Sequence, residues 1–262
     1  VNEHRARKRF GQNFLHDQRV IQRIVSAIRP RSDQVLLEIG PGQGALTGSL
    51  LETGCTLRAV ELDRDLVAIL QHRFGGDQRF HLQQGDALAV ELLSITSEKV
   101  RVVGNLPYNI STPLIFHLLK QSASIIDMHF MLQKEVVERL AAPPGNRDYG
   151  RLSIMTQYFC QVEPLFEVPP GAFSPQPKVQ SAVLRLTPHQ TLPHAAQSIA
   201  ALQNIVRTAF NQRRKTLRNA LQTLLSVEQI AGLGIDPGAR PETLSLAAFV
   251  ALADCLHAQE EY

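Results

Sequence analysis

Gln34-Val35-Leu36-Leu37-Glu38-Ile39-Gly40-Pro41-Gly42-Gln43-Gly44 is the stretch that decides the fold. Its first half is a continuous apolar run rather than an alternating one, the pattern of a strand covered on both faces of a parallel sheet. Three glycines then turn the chain sharply, and Ala45 to Glu52 follows with helical spacing before Gly54 stops it. A buried strand, a glycine turn and a helix form the first unit of a doubly wound α/β domain.

The same alternation continues outward. Thr56 to Val60 is expected as a strand ending in Glu61, then a helix over Arg64 to Arg73 and a strand over Phe80 to Gln83 that ends near Gly85-Asp86. Val100 to Gly104 is the next strand, stopping at Asn105-Leu106-Pro107-Tyr108. A helix capped by Ser111-Thr112-Pro113, a strand over Met128 to Leu132 and a helix over Lys134 to Ala141 complete the pattern. Before it, Asp17 is placed to cap a helix to Ile28, with Val20, Ile21, Ile24, Val25 and Ile28 on one face. After Pro143-Pro144-Gly145 come a helix over Arg151 to Phe159 and two strand-like runs, Gln161 to Val168 and Val179 to Leu186. Thr187 to His194 has no periodicity. The domain boundary is therefore set at 188/189, giving an α/β domain over 1–188 with a basic arm over 1–16. An all-helical domain over 189–262 follows, with helices at Gln197 to Asn211, Lys215 to Leu225, Val227 to Gly232 and Leu246 to Ala258.

With 262 residues, 44% hydrophobic and 19% charged, the chain has the composition of a globular protein with a sizeable core. The formal charge of +3 is small, but the cations are clustered. Arg5, Arg7, Lys8 and Arg9 crowd one end; Arg207, Arg213, Arg214, Lys215 and Arg218 form an acid-free run near the other. Two such clusters, with Lys178 between them, fit a polyanionic partner such as RNA. Cys55, Cys160 and Cys255 have no metal-ligand spacing and read as free thiols in a reducing compartment. No run is long enough to cross a membrane, and the charged start has no apolar segment behind it, so a cytoplasmic protein is expected.

The strand ends carry the chemistry. Gly40, Gly42 and Ala45 fit the dinucleotide pattern G-x-G-x-x-A, and Glu61, 21 residues after Gly40, suits a ribose in either a nicotinamide or another nucleoside cofactor. Asp86 at the third strand end suits an adenine amino group. With Asn105 at the fourth, every early strand ends in a polar residue at one rim, which favours S-adenosylmethionine over NAD. Asn105-Leu106-Pro107-Tyr108 then suits methyl transfer to the exocyclic amine of adenine. The Asn105 side-chain carbonyl and the Leu106 backbone carbonyl can each accept one N–H of that amine. Pro107 biases Leu106 to an extended conformation, and Tyr108 offers a face for the base. No acid–base pair and no metal is required.

The chain resembles the KsgA/RsmA family of small-subunit rRNA adenine dimethyltransferases over nearly its whole length. The blocks that carry the resemblance are KRFGQNFL (8–15), EIGPGQGALT (38–47), VELD (60–63), GDAL (85–88) and GNLPYNIST (104–112). MLQKEVVERL (131–140), YGRLS (149–153), FSPQPKVQSAV (173–183) and FNQRRKTLRN (210–219) complete the series. The resemblance implies a Rossmann-like class I S-adenosylmethionine-dependent methyltransferase domain with a small helical C-terminal domain. It implies dimethylation of two adjacent adenosines in the 3′-terminal hairpin of 16S rRNA, within the 30S subunit or its precursor; with no coiled-coil seam in the sequence, a monomer is the default expectation. Asn13, Leu15, Gly40, Glu61, Asp86 and Asn105 would line the cofactor site; Asn105, Leu106, Pro107 and Tyr108 would hold the adenine; Phe173 would sandwich it from the other side. The arm could act as a lid. Competing readings are a large-subunit rRNA adenine methyltransferase of the antibiotic-resistance type, which shares the NLPY-like motif, and a mainly non-catalytic RNA-binding assembly factor.

Overall fold

The computed structural model describes residues 12–211 and 214–260, the last by its backbone only. The N-terminal cations Arg5, Arg7, Lys8 and Arg9, and Arg213 of the second cluster, lie outside the described residues.

In chain order the first elements are β1 (Phe14–Leu15), α1 (Gln18–Ile28), β2 (Val35–Ile39), α2 (Ala45–Leu51), β3 (Thr56–Glu61), α3 (Arg64–Phe74), β4 (Phe80–Gln84) and α4 (Leu92–Ile95). β5 (Val100–Asn105), α5 (Ser111–Leu119), β6 (Ile125–Gln133), α6 (Lys134–Ala141), α7 (Arg151–Phe159), β7 (Cys160–Val168), β8 (Phe173–Ser174) and β9 (Ser181–Pro188) follow. The last helices are α8 (Ile199–Phe210), α9 (Leu217–Ala220), α10 (Val227–Gly232) and α11 (Leu246–Glu260). They form two compact units. One comprises the described residues up to Val137 with Val162–Pro188; the other comprises Glu138–Gln161 and the described residues from His189 on. One border falls at 188/189, where periodicity fails in the sequence, while α7 groups with the C-terminal helices rather than with the sheet unit.

The sheet runs β4-β3-β2-β5-β6-β9-β7. β4, β3, β2, β5 and β6 are parallel neighbours; β9 joins β6 antiparallel, with Gln133 opposite Ser181. From β2 the chain builds outward through β3 and β4, then returns to place β5 on the other side of β2. That reversal is the topological switch point of an open α/β sheet, where the carboxyl ends of two neighbouring strands leave a crevice. Here the crevice lies between the ends of β2 and β5, Gly40 and Asn105.

The physical causes are local. Leu36 and Leu37 are fully buried and Ile39 nearly so, as expected of a strand covered on both faces. Asp17 caps α1 by accepting from the backbone N–H of Arg19 and Val20. Gly104 in β5 has no side chain because a Cβ there would lie 2.6 Å from the Ile39 carbonyl oxygen. Arg101 is buried at the other end of β5. Its guanidinium donates to both carboxylate oxygens of Asp127 on β6, each at 2.9 Å, and to the Ile28 carbonyl at the end of α1 at 2.6 Å. A buried ion pair stabilises only when its remaining donors are satisfied, and the Ile28 and Arg29 carbonyls with the Gln34 side-chain carbonyl satisfy them here.

Some expectations need correction. Ser111 is the first helical residue of α5 rather than its cap; its hydroxyl donates to the Tyr108 carbonyl at 3.2 Å. The helix expected over Lys215 to Leu225 shortens to α9, four residues long. The N–H groups of Leu217 and Arg218 donate to Ala239 and Pro237, and turns follow the helix.

Candidate functional site

The crevice at the switch point opens into a cleft of about 1090 Å³, solvent at its mouth included. Asn13, Leu15, Gly40, Glu61, Asp86 and Asn105 all line it, and so do Leu106, Pro107 and Tyr108. Two groups of residues assigned separately in the sequence therefore share one cavity.

The floor is the glycine turn after β2. Gly42 has φ +59°, a conformation that L side chains rarely adopt, and a Cβ there would meet the Phe14 ring at 3.2 Å. Its N–H donates to Glu61 Oε2 at 3.1 Å, while Glu61 Oε1 accepts from the Asp63 N–H at 2.9 Å. Burial pushes the Glu61 carboxyl up, and these backbone N–H bonds oppose the shift. With one backbone bond on each oxygen, Glu61 is fixed in orientation and keeps acceptor capacity for hydroxyl groups. Asp86 stays exposed at the rim, its Oδ1 capping a short turn by accepting from the Leu88 N–H at 2.9 Å.

Asn105 ends β5 half-buried, and its Nδ2 donates to the Asn13 backbone carbonyl at 3.1 Å. A carbonyl can only accept, so this contact fixes which end of the amide is which: the nitrogen faces Asn13 and Oδ1 is turned away from it. Asn13 is thus tied to β5 by its backbone. The neighbouring Leu106 N–H donates to Met131 at 3.2 Å. In the turn itself, the Pro107 carbonyl accepts from Ile110 and the Tyr108 carbonyl from Ser111, each at 3.2 Å. Among the described residues, none of the turn's own bonds takes the Leu106 carbonyl. The Tyr108 ring is half-buried and its hydroxyl lies 2.7 Å from Ser181 Oγ; burial pushes the phenol up, against the effect of that hydrogen bond.

Phe173 does not line the cleft. It sits on β8, opposite Leu15 of β1, is 3% exposed and packs in the core with Leu15, Val168, Ala172 and Val183. Its apolar ring gains more from that cluster than from the rim. Lys178 is exposed on the loop between β8 and β9; Arg207, Arg214 and Arg218 are exposed, and Lys215 partly so, in the helical unit.

Sequence reasoning missed three lining groups. Glu38 is 1% exposed; burial, with the nearby Glu61 charge, pushes its carboxyl up to about 7 although Thr47 donates to it at 2.7 Å. An acid inside the apolar run of β2 was the available signal. Asp63 caps α3 and accepts from Gln12 Nε2 at 3.2 Å, closing the cleft behind Glu61. Leu62, half exposed beside it, gives the cleft an apolar wall.

S-adenosylmethionine fits these residues. The side-chain-free turn at Gly40 and Gly42 admits a ligand against the backbone, the fixed Glu61 carboxylate matches vicinal hydroxyls, and Asp86 matches an exocyclic amine.

Comparison with known proteins agrees. Residues 3–258 match the family model described as ribosomal RNA adenine dimethylase. A protein of Pseudomonas aeruginosa named ribosomal RNA small subunit methyltransferase A is 63% identical over 97% of this chain and 96% of its own length. Its namesake in Marinobacter nauticus is 58% identical over 97% and 92%. Among solved structures, a dimethyladenosine transferase from Plasmodium falciparum superposes with a TM-score of 0.75 at 25% identity, covering 91% of this chain and 95% of that one. The 23S rRNA methyltransferase ErmE gives 0.72 at 25% identity, covering 94% and 100%.

Proposed function

The chain belongs to the ribosomal RNA adenine dimethylase family, and we propose that its switch-point cleft transfers methyl groups from S-adenosylmethionine to the exocyclic amines of adenosines in small-subunit rRNA. The fold alone does not select the subunit, since the dimethyladenosine transferase and ErmE superpose almost equally well. Sequence does: relatives named for the small subunit share about 60% identity over nearly full length, against 25% for ErmE. The large-subunit reading is set aside on that difference.

The observation that carries the chemistry is the fixed orientation of Asn105. An adenine amine is a poor nucleophile because its lone pair is delocalised into the ring. S-adenosylmethionine, when bound, supplies an electrophilic methyl group on a sulfonium. Asn105 Oδ1 and the Leu106 carbonyl accept the two N–H bonds of the amine and draw its nitrogen towards tetrahedral geometry, an interaction that strengthens as the nitrogen becomes cationic. Tyr108 supports the base by stacking. Once one methyl is in place the amine retains a single N–H, so the second transfer uses one acceptor rather than two. The proton is lost from a cationic nitrogen, which requires no dedicated base.

Two adjacent adenosines of the 3′-terminal hairpin in the 30S subunit or its precursor are the proposed targets, reached by a monomer in the cytoplasm. Arg207, Arg214, Lys215, Arg218 and Lys178, together with Arg5, Arg7, Lys8, Arg9 and Arg213, would contact phosphates. Unstacking a target base costs least in a loop, which suits a hairpin site. Phe173 joins the base sandwich only if it leaves the core. The test is labelled methyl transfer to unmethylated small subunits, naked small-subunit rRNA and large-subunit rRNA, with the product base mapped. Dimethyladenine in small subunits is the expected result; incorporation into large-subunit RNA, or binding without incorporation, would overturn it.

A further inference from the structure

We propose that Ser181 is a positioning residue for methyl transfer, a latch that fixes the direction in which the Tyr108 ring points; the proposal rests on the function proposed above. The backbone of Tyr108 is held by its turn, where the Pro107 carbonyl accepts from Ile110 and the Tyr108 carbonyl from Ser111. Those bonds leave the two side-chain torsions of the ring undetermined. The hydroxyl contact to Ser181 Oγ, 2.7 Å long, acts at the far tip of the ring and fixes the direction in which the ring points; the phenol oxygen lies on the axis about which the ring itself turns, so that second torsion is left to packing.

Ser181 is well placed for this. It is 0% exposed and opens β9 opposite Gln133 of β6, and the preceding Gln180 carbonyl accepts from the Lys134 N–H at 2.9 Å. The latch therefore hangs from a paired strand, not from the mobile end of a side chain. A ring needed only for packing is as well served by Phe, which brings no hydroxyl to desolvate. A hydroxyl pair inside the protein makes sense where direction matters. Stacking depends on ring orientation, since offset and edge geometries differ in energy. A ring already held along one direction also loses less freedom when a base arrives.

The step affected is base capture. Ser181→Ala leaves the Tyr108 backbone in place but the ring free to swing, so the loss should appear chiefly in KM for RNA, by about 3- to 10-fold, with S-adenosylmethionine affinity unchanged. Tyr108→Phe, which keeps the stacking face and removes the latch from the other side, should give a loss of the same size. The double variant should be no worse than either single one, because both remove one interaction. Ser181→Thr, which retains a hydroxyl, should restore most of the loss.

The experiment measures transfer to unmethylated small subunits for the wild type and these four variants. It also follows the fluorescence of RNA carrying 2-aminopurine at the target position, which is quenched on stacking. Reduced quenching in Ser181→Ala at saturating protein, with losses that do not multiply in the double variant, supports the latch. Full quenching and wild-type KM in Ser181→Ala, or losses that multiply, overturns it while leaving the function standing. Absence of transfer by the wild type overturns both. Should Ser181→Ala fail to fold, Tyr108→Phe and Ser181→Thr carry the same decision.

Discussion

Replacing Asn105 by Ala separates the chemistry of the cleft from its binding. Two interactions are removed together: the Nδ2 bond to the Asn13 carbonyl at 3.1 Å and the acceptor offered by Oδ1. The first is a neutral hydrogen bond at a half-buried site, worth about 1 kcal/mol. Because it tethers a segment that lines the cofactor end of the cleft, cofactor Kd should rise about 5-fold at most. The second is charge-assisted as the amine becomes cationic, worth roughly 1.5–3 kcal/mol, which is a loss of about 10- to 150-fold in the rate of transfer. Asn105→Asp keeps an acceptor but turns a carboxylate oxygen towards the Asn13 carbonyl where a donor stood. It should therefore disturb cofactor binding more than Ala does. Single-turnover transfer of labelled methyl to small subunits, with cofactor affinity measured by calorimetry, reads both quantities. An Ala variant within about 3-fold of wild type would refute the assigned role. So would a rate loss wholly recovered at saturating cofactor.

Gly104→Ala should lower stability by about 1–3 kcal/mol and weaken cofactor binding, because its Cβ would lie 2.6 Å from the Ile39 oxygen and 3.0 Å from Leu106 Cδ2; an unchanged melting temperature would argue against this contact. Asp127 is governed by opposing effects: burial pushes its carboxyl up, but His129 and Arg101 outweigh it and hold the group at about 2, below its ordinary 3.8. His129 Nδ1 stands 3.6 Å away, so the paired Arg101 bonds dominate. The resulting stabilisation, about 2 kcal/mol, is full above pH 3.8 and lost as pH falls through about 2; acid unfolding of Asp127→Asn should lack that component. Replacing Arg214, Lys215 and Arg218 together by Gln should weaken RNA binding and reduce the slope of log K against log salt by about 2–3; an unchanged slope would place the phosphate contacts elsewhere.

The sheet was legible because parallel, doubly covered strands write mainly apolar runs without alternation, as Val35–Ile39 and Val100–Gly104 do, each interrupted by one charged residue, Glu38 or Arg101. The rim was legible because such strands end where the apolar run ends, and Glu61, Asp86 and Asn105 mark those ends. What could not be read was pairing between distant short segments. Phe14–Leu15 and Phe173–Ser174 are two residues each, too short for any period, yet their pairing carries Phe173 into the core and off the lining of the cleft. The Arg101–Asp127 pair was equally hidden, since its members are 26 residues apart on adjoining strands.

Glu38 shows how little titratable chemistry this cleft requires. The carboxyl is buried beneath the glycine turn, and desolvation, helped by the Glu61 charge, pushes it up to about 7 from 4.5. In the unfolded chain the group ionises near 4.5; folded, it holds its proton until about 7. The folded state therefore binds the extra proton, and stability falls as pH rises from 4.5 towards 7, by about 3 kcal/mol in all. Glu61, also raised by burial, acts in the same direction. Such an acid is a liability at neutral pH unless its neutral form suffices, and Thr47, whose hydroxyl reaches it at 2.7 Å, can bond to an amide as well as to an acid. Glu38→Gln should then keep the fold, remove most of the decline in stability between pH 5 and pH 8, and make the protein more stable than wild type at pH 8. Chemical unfolding at several pH values measures this directly. A variant whose stability keeps the wild-type slope would mean that the carboxyl is ionised throughout, and that the floor of the cleft carries a negative charge at neutral pH.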